Sequence, residues 1–188
     1  MIRIGILDLQ GDVSEHFQIA QKALENLKIE YQVLNVKNAE DAALCDGIII
    51  SGGESTVIGK LMVETGIKDI IISNKIPVFG TCAGMVLLAT KTDYEQPLLG
   101  LMDMKVKRNA FGRQKDSFEQ EIEILGEKYT GVFIRAPAVD EVGDKVQIIS
   151  KIDDIIIGVK QGKNMALAFH PELTEDTRLH EYFIKEVL

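Results

Sequence analysis

The sequence predicts a three-layer α/β/α fold with a mostly parallel central sheet and an antiparallel extension. In the first half of the chain, short apolar runs alternate with segments of helical periodicity, the pattern of a parallel sheet covered by helices. In the second half, strand-like segments follow one another through short turns. The 188 residues contain no repeat, low-complexity segment or linker, so a single domain over residues 1–188 is expected.

The elements of the first half follow from apolar runs and their spacing. Strands are predicted at residues 2–7, 31–36, 48–51 and 77–80. Helices are predicted at residues 13–27, 67–73 and 83–90. Another helix is predicted to follow the loop at 52–56 and to end at Gly66. Asp12 and Glu15 have the spacing of a capping box at the start of the first helix.

The second half begins with a strand that has one face in water. Within residues 118–124, Phe118, Gln120, Ile122 and Ile124 alternate with three glutamates. Further strands are predicted at residues 132–135, 146–152, 155–160 and 165–169, with short turns at 153–154 and 162–164. An amphipathic helix at 175–187 closes the chain, and the residues expected to face inward are Leu179, Tyr182, Phe183 and Val187.

Composition excludes several classes of protein. The 21 basic and 29 acidic residues leave a formal charge of −8, which disfavours nucleic acid as a partner. No stretch of about 18 apolar residues occurs, so no membrane-spanning helix is expected, and the apolar start is too short and too charged for a signal peptide. The two cysteines, Cys45 and Cys82, fit reduced thiols in a cytoplasmic protein.

Cys82 lies in the sharpest local motif, a G-x-C-x-G between an apolar strand and a helix. This is the cysteine form of a nucleophile elbow, in which Gly80 and Gly84 relieve the crowding of a tight turn. The following helix N-terminus favours a thiolate and offers the N–H of Ala83 to a developing oxyanion. The alternative is that Cys82 is a small buried apolar residue. Cys45 has no such context and is predicted to be structural.

A nucleophilic cysteine needs a base, and the chain has three histidines. His170 directly follows an apolar strand, so it is expected at the carboxyl edge of the sheet, where open α/β folds place their sites. Glu172 lies two residues further along an extended segment and can reach the His170 ring as third member of a triad. A structural histidine at a strand end is the alternative. His16 and His180 are expected on solvated helix faces, without a catalytic role.

The loop at residues 52–56, Gly-Gly-Glu-Ser-Thr, joins a strand to a helix. It presents backbone N–H groups like a small anion nest, but it lacks the spacing and the lysine of a P-loop. Its position after the third strand places it at the same sheet edge as Cys82, with an ordinary tight turn as the alternative.

The elbow together with His170-Pro171-Glu172 resembles the class I, triad-type glutamine amidotransferases, which have a flavodoxin-like fold. Further segments narrow the resemblance to the glutaminase subunits of pyridoxal 5′-phosphate synthases. They occur in the expected order over nearly the whole chain: residues 9–11 with Glu15 and His16, 52–56, 108–114 with 117–119, 133–137 and 168–173. Asp8 departs from the small apolar residue expected there, and altered packing under the Gln10 loop is anticipated.

The resemblance implies a reaction for each site residue. Cys82 attacks the carboxamide of L-glutamine, forms a γ-glutamyl thioester and releases ammonia, and water then releases L-glutamate. His170 acts as base and later as acid, and Glu172 orients it. The backbone N–H groups of Ala83 and of Gly53 form the oxyanion hole.

The resemblance also implies a glutamine site. The glutamine-contacting positions of the family map onto Gly53, Glu54, Ser55, Arg108, Ile134 and Arg135. An arginine fork suits the α-carboxylate, and both arginines stay open for that contact. No metal and no cofactor is implied, because pyridoxal 5′-phosphate is the product of the complex.

The implied partner is a synthase subunit, a (β/α)8 barrel in a large hetero-oligomer that receives ammonia through an internal channel. The family docks on it partly through the first-strand loop, here residues 10–12. The competing interpretations are a stand-alone cysteine hydrolase of the same fold, such as a γ-glutamyl hydrolase or a peptidase, and a regulatory module without catalysis. The runs at residues 108–114 and 133–137 favour the glutaminase subunit.

Overall fold

The computed structural model describes residues 1–111 and 116–187, with the burial of side chains given up to residue 186. Its strands are β1 (Ile2–Leu7), β2 (Tyr31–Val36), β3 (Gly47–Ile50), β4 (Val78–Thr81), β5 (Ala89–Thr92), β6 (Met102–Lys107), β7 (Ser117–Ile124), β8 (Glu127–Ile134), β9 (Ala138–Val142), β10 (Gln147–Ile152), β11 (Ile155–Gln161) and β12 (Asn164–Leu167). Its helices are α1 (Val13–Leu27), α2 (Ala39–Ala43), α3 (Ser55–Glu64), α4 (Ile67–Ser73), α5 (Ala83–Leu88) and α6 (Arg178–Val187). A short 3-10 turn covers Pro171–Leu173.

The main sheet has ten strands, nine of them in the order β2-β1-β3-β4-β12-β11-β9-β6-β5, with β10 paired to β11. Strands β2, β1, β3, β4 and β12 are mutually parallel. From β12 to β6 the pairs are antiparallel, and β5 is parallel to β6. Strands β7 and β8 form a separate hairpin. This arrangement confirms the predicted α/β class, the parallel sheet and its antiparallel extension.

Helices cover both faces of the parallel half. The chain moves from β1 to β2 through α1 and returns past β1 to β3 through α2. Because such crossovers are right-handed, the change of direction puts α1 and α2 on opposite faces. Helix α6 packs against α1, whereas α3 contacts both α4 and α5. The central strands β3 and β4 lie between these layers and are buried along their whole length.

Several elements differ from the sequence prediction. The helix predicted to residue 90 ends at Leu88, because the chain continues as the edge strand β5. Strands β6 and β9 and the five-residue helix α2 were not predicted, although β6 has the alternating burial of a half-buried strand. The last helix begins at Arg178 rather than at residue 175. The predicted inward position of Val187 concerns a side chain outside the described part of the structure.

The capping-box prediction at α1 is wrong. The Asp12 side chain makes no capping hydrogen bond, and its Oδ2 lies 3.4 Å from Nδ1 of His170. Glu15 instead accepts a hydrogen bond from the Ser14 hydroxyl. Asp8, the residue that departs from the family pattern, is partly exposed and lies 3.2 Å from the Lys37 ammonium. Within residues 1–111 and 116–187, no helix has both the length and the apolar character needed to cross a membrane.

The turn between β4 and α5 is packed directly against β3. A Cβ at Gly84 would lie 2.2 Å from the carbonyl oxygen of Ile50, and a Cβ at Gly80 would lie 2.4 Å from the carbonyl oxygen of Gly84. Only glycine fits at such a backbone contact. The two glycines therefore let the N-terminus of α5 reach the end of the central strands.

Replacing Gly84 with alanine should destabilise the protein by about 3 kcal/mol or more, at the upper end of the usual cost of overpacking. The neighbouring group is a backbone carbonyl, which cannot move away as a side chain can. The measurement is the free energy of unfolding in urea.

Gly100→Ala is the matched control. Gly100 has a φ of +65° but nothing within 4 Å of an added Cβ, so only the conformational cost of about 1 kcal/mol applies. Equal losses of stability in the two variants would show that the contact with Ile50 does not constrain the turn.

Candidate active site

The loops that follow β1, β3, β4 and β12 meet at one edge of the sheet. This is the carboxyl edge, and the chain reverses its winding direction between β1 and β3, the usual position of a ligand site in such sheets. A cleft of about 510 Å³ opens there. Its lining includes Gln10, Asp12, Gly53, Glu54, Ser55, Cys82, Ala83, Arg108, Ile134, Arg135 and His170. Every residue predicted for the site lines this cleft except Glu172, which lies beneath it.

Cys82 lies in a strained turn at the N-terminus of α5. Its φ of 52° and ψ of −106° are unusual for a residue with a side chain, and the residue is partly exposed. Its Sγ lies 3.8 Å from the carbonyl oxygen of Ile134. Ala83 begins α5, where a backbone N–H has no acceptor within the helix. The turn thus presents both a thiol and a free donor to the cleft.

His170 is held by backbone and side chain together. Its N–H donates to the carbonyl oxygen of Val132 at 2.8 Å, and its Nδ1 donates to Oε1 of Glu172 at 2.6 Å. The contact between the two side chains was expected, but not the conformation that makes it. Residues Pro171–Leu173 form a 3-10 turn rather than an extended segment, because the fixed φ of Pro171 suits the first turn of a helix.

The ionisable groups of the site shift one another's pKa values. Burial opposes the charged form of His170, but hydrogen bonds with the Cys82 sulfur and with Glu172 outweigh it and raise the pKa of His170 to about 10. Burial likewise opposes the charged form of Glu172, yet His16 and His170 hold the pKa of that carboxyl well below its usual range. Burial and the charge of Glu172 raise the pKa of Asp12. The arrangement favours an imidazolium at His170 next to the sulfur.

The prediction that His16 and His180 lie on solvated faces is wrong, since both are completely buried. His16 is three residues before Ile19, and these two residues share the buried face of α1. His180 is three residues before the buried Phe183 on α6. The helical spacing in the sequence could have located both histidines, because residues three apart lie on one helix face.

The loop after β3 is fixed by the loop after β1. The backbone N–H of Glu54 donates to Oε1 of Gln10 at 2.8 Å, and Gly53 has a φ of +147°. A Cβ at Gly11 would lie 1.8 Å from the carbonyl oxygen of Gly52, so the two loops are in direct contact. A Cβ at Gly52 would lie 2.5 Å from Cε1 of His170. The loop is therefore a wall of the cleft next to the imidazole.

The two arginines of the cleft have different surroundings. The Nε of Arg108 lies 3.4 Å from Asp93, and its guanidinium lies 4.3 Å from the centre of the Tyr94 ring. Arg135 has a φ of 43°, and no carboxylate among residues 1–111 and 116–187 pairs with its side chain. Residues 112–114 of the run 108–114 lie outside the described residues.

One group of side chains in the described ranges has metal-ligand spacing. The ligand atoms of Asp12, His170 and Glu172 lie within 4.8 Å of one another. Their contacts already have an explanation, because Nδ1 of His170 is hydrogen-bonded to Glu172. A metal ion at Nδ1 would have to replace that hydrogen bond. The expectation of a metal-free site therefore stays a prediction that the geometry favours.

Known structures share this fold. A crystal structure described as "glutamine amidotransferase" is 43% identical, with a TM-score of 0.87 over 98% of both chains. The structure of a putative GMP synthase subunit from Thermoplasma acidophilum has a TM-score of 0.63, with 100% of this chain and 92% of that one covered. At 16% identity it shows the fold alone. The architecture is that of the class I glutamine amidotransferases.

Sequence comparison identifies the family. The model of the SNO glutamine amidotransferase family matches residues 6–188, and the chain belongs to this family. A protein of Methanothermobacter thermautotrophicus named "Pyridoxal 5'-phosphate synthase subunit PdxT" is 70% identical over 188 residues, which cover 100% of this chain and 98% of the relative. A protein of the same name from Pyrococcus furiosus is 47% identical over 197 residues, and both chains are covered completely.

The raised pKa of His170 predicts how stability depends on pH. A histidine whose pKa rises on folding stabilises the protein fully below its unfolded pKa of about 6.5, and this contribution is lost as the pH rises toward about 10. The stability advantage of the natural protein over His170→Gln should therefore shrink between these pH values, by at most about 1.4 kcal/mol per pH unit. Urea unfolding at a series of pH values measures it.

The same comparison in a Cys82→Ala background is the control. Because the Cys82 sulfur contributes to the raised pKa of His170, the loss of stability with pH should be smaller there. An advantage that stays constant from neutral to alkaline pH would contradict the charged state assigned to His170.

Proposed function

We propose that this chain is the glutaminase subunit of a pyridoxal 5′-phosphate synthase. It hydrolyses L-glutamine to L-glutamate and ammonia, and the ammonia passes to a synthase subunit. The observation that carries the proposal is the contact of Glu172 with His170 at 2.6 Å, beneath a cleft in which His170 adjoins the Cys82 sulfur. The name of a relative that is 70% identical to this chain, a pyridoxal 5′-phosphate synthase subunit, supports the use of the ammonia in pyridoxal 5′-phosphate synthesis.

The first chemical step uses the charged pair at the edge of the sheet. The Cys82 thiolate attacks the carboxamide carbon of glutamine, and His170 gives its proton to the nitrogen as ammonia leaves. The product is a γ-glutamyl thioester on Cys82. His170, now neutral, then takes a proton from water, and the hydroxide releases glutamate and restores the thiolate. Glu172 keeps the ring in one orientation and stabilises each imidazolium that forms.

The oxyanion of each tetrahedral intermediate needs two donors. The N–H of Ala83 is available at the start of α5, where the helix dipole also favours negative charge. The second donor is the N–H of Gly53, on the loop that packs against the His170 ring. Two backbone donors that stabilise the oxyanion account for a large part of the rate enhancement in enzymatic acyl transfer.

The cleft also suits the ends of free glutamine. The guanidinium groups of Arg108 and Arg135 line it, and either suits the α-carboxylate. Glu54 lines the same cleft and suits the α-ammonium. Ser55 and Ile134 complete the substrate contacts carried over from the family.

The partner is a synthase subunit in a hetero-oligomer, docked in part on the loop at residues 10–12. The hydrogen bond from the Glu54 N–H to the Gln10 side chain links this docking loop to the glutamine loop. The thiol chemistry needs no metal and no cofactor, because pyridoxal 5′-phosphate is the product of the synthase subunit. Two free cysteines fit a place for the complex in the cytoplasm.

Removal of the nucleophile tests the function. Cys82→Ala, mixed with the synthase subunit, should lose at least about 1,000-fold of its glutamate release from glutamine, since no thioester can form. The assay is glutamate and ammonia release with and without the partner. The variant should still bind the partner, as measured by size-exclusion chromatography.

Cys45→Ala is the matched control. Its thiol is buried, and burial raises its pKa to about 12, so it should not affect turnover. Wild-type turnover in Cys82→Ala would contradict the assignment of the nucleophile. Hydrolysis of peptides by the natural protein, without activity on glutamine in either condition, would favour a stand-alone hydrolase.

A further inference from the structure

The buried carboxylate of Glu172 has one oxygen whose role the triad does not explain. Oε1 accepts the hydrogen bond from His170. The side chain is completely buried, and Oε2 has no hydrogen-bond partner of good geometry among the described residues. A buried charged oxygen without a donor is costly. Whatever lies next to Oε2 therefore influences the orientation of the whole carboxylate.

The neighbour of Oε2 is His16. Nε2 of His16 lies 3.2 Å from Oε2 of Glu172 and 2.9 Å from the hydroxyl oxygen of Thr81. His16 comes from α1, Thr81 from the end of β4 and Glu172 from the turn after β12. Three separate elements thus converge on one proton position, directly beneath Cys82.

His180 determines which nitrogen of His16 carries the proton. Nε2 of His180 lies 3.1 Å from Nδ1 of His16, and burial lowers the pKa of His180 to about 3, so its ring is neutral. Nδ1 of His180 is buried without a partner among the described residues. A buried N–H without an acceptor is rarer than a buried acceptor without a donor. The His180 proton is therefore on Nε2, which donates to Nδ1 of His16.

This leaves the proton of His16 on Nε2. The N–H then faces the Thr81 hydroxyl oxygen at 2.9 Å, and the charged Oε2 of Glu172 lies 3.2 Å from the same nitrogen. The chain of contacts runs from His180 through His16 to Glu172, and from there to His170 and Cys82.

We propose that His16 is a positioning residue for the glutaminase reaction: its Nε2–H holds Oε2 of Glu172, so that Oε1 faces His170, and His180 fixes the tautomer of His16. The inference rests on the proposed function. His16 does not line the cleft, so it acts on the reaction only through Glu172. It corresponds to the outer partners that orient ligands and catalytic groups in other buried sites.

The loss of His16 should change the pH dependence as well as the rate. The N–H of His16 favours the ionised form of Glu172, so without it the carboxylate is protonated at a higher pH. The acidic limb of the kcat/KM profile should move to higher pH, whereas a general packing defect lowers activity equally at all pH values. The titratable groups that face Glu172 and His16 are Asp12 before α1, Tyr129 on β8, Cys82 before α5, His170 after β12 and His180 on α6.

The kinetic test uses the complex with the synthase subunit and glutamine as substrate. His16→Leu removes the donor, and kcat should fall about 10- to 100-fold, the value of one hydrogen bond to a charged group. KM for glutamine should change less than about 2-fold, because His16 does not touch the cleft. His16→Gln carries an amide N–H near the position of Nε2, which can replace the donor that His16→Leu removes. Its kcat should therefore lie within about 5-fold of that of the natural protein, a smaller loss than that of a whole hydrogen bond to a charged group.

Phe183→Leu is the packing control. Phe183 is buried on the same helix as His180 and packs against Phe79, which contacts both histidines, but a phenyl ring offers Glu172 neither a charge nor an N–H donor. Its kcat and acidic limb should match those of the natural protein. A His16→Leu variant with wild-type kcat, or with a loss that is uniform over pH, would overturn the proposal. If the natural complex itself releases no glutamate from glutamine, the proposed function fails instead.

The tautomer can be measured without any variant. In the natural protein labelled with ¹⁵N-histidine, NMR should show His16 protonated at Nε2 and unprotonated at Nδ1, with His180 neutral and protonated at Nε2. This measurement decides the proposal even if His16→Leu does not fold. The opposite tautomer of His16 would overturn it, because Glu172 would then face a bare nitrogen.

Discussion

The structure of the site depends on the contact between the N-terminus of α5 and the end of β3. Without a Cβ at Gly84, the first turn of α5 lies directly on the carbonyl of Ile50, and the chain between β4 and α5 has room for only one residue at the corner. That residue is Cys82, which takes a positive φ as a result. The strain is tolerated because the parallel strands on both sides over-determine the turn.

The parallel pairing of β4 with β12 extends this constraint to the other half of the site. Leu167 is in register with Thr81, the residue before Cys82, so the segment after β12 must leave the sheet beside the cysteine. His170 therefore reaches the thiol from the neighbouring strand, although 87 residues of sequence lie between them. The hydrogen bond from the His170 N–H to Val132 ties the segment to β8 as well.

Beneath the thiol, one carboxylate organises the buried charges. Glu172 lies between His170 and His16, and the two imidazoles hold its pKa low despite burial. In a poorly solvated interior such interactions are stronger than in water, and a missing partner is correspondingly costly. The same contacts that stabilise the carboxylate also orient it, so stability and reactivity depend here on the same few atoms.

Much of this could be predicted from local signals in the sequence. The apolar runs of the parallel strands, the glycines around Cys82 and the pair His170 and Glu172 are each recognisable within a few residues. The edge strand β5 was harder to predict, because it mixes apolar and polar residues and is only four residues long. The spacing around Asp12 predicts a helix cap, since nothing local to it indicates that His170 lies 3.4 Å away.

The buried histidines show a different limit. The helical spacing could have placed His16 on the inner face of α1, but polar residues are usually exposed, and that preference prevailed in the prediction. Only the tertiary structure shows that His16 contacts both His180 and Glu172 in the interior. The catalytic roles of Cys82, His170 and Glu172 stay predictions, with a geometry that supports them.

Covalent labelling tests the central claim most directly. A chloroketone analogue of glutamine, added to the complex with the synthase subunit and followed by peptide mass spectrometry, should modify Cys82 and no other residue, and excess glutamine should prevent the reaction. Modification of Cys45 or of another side chain, or no modification at all in the complex, would contradict the account.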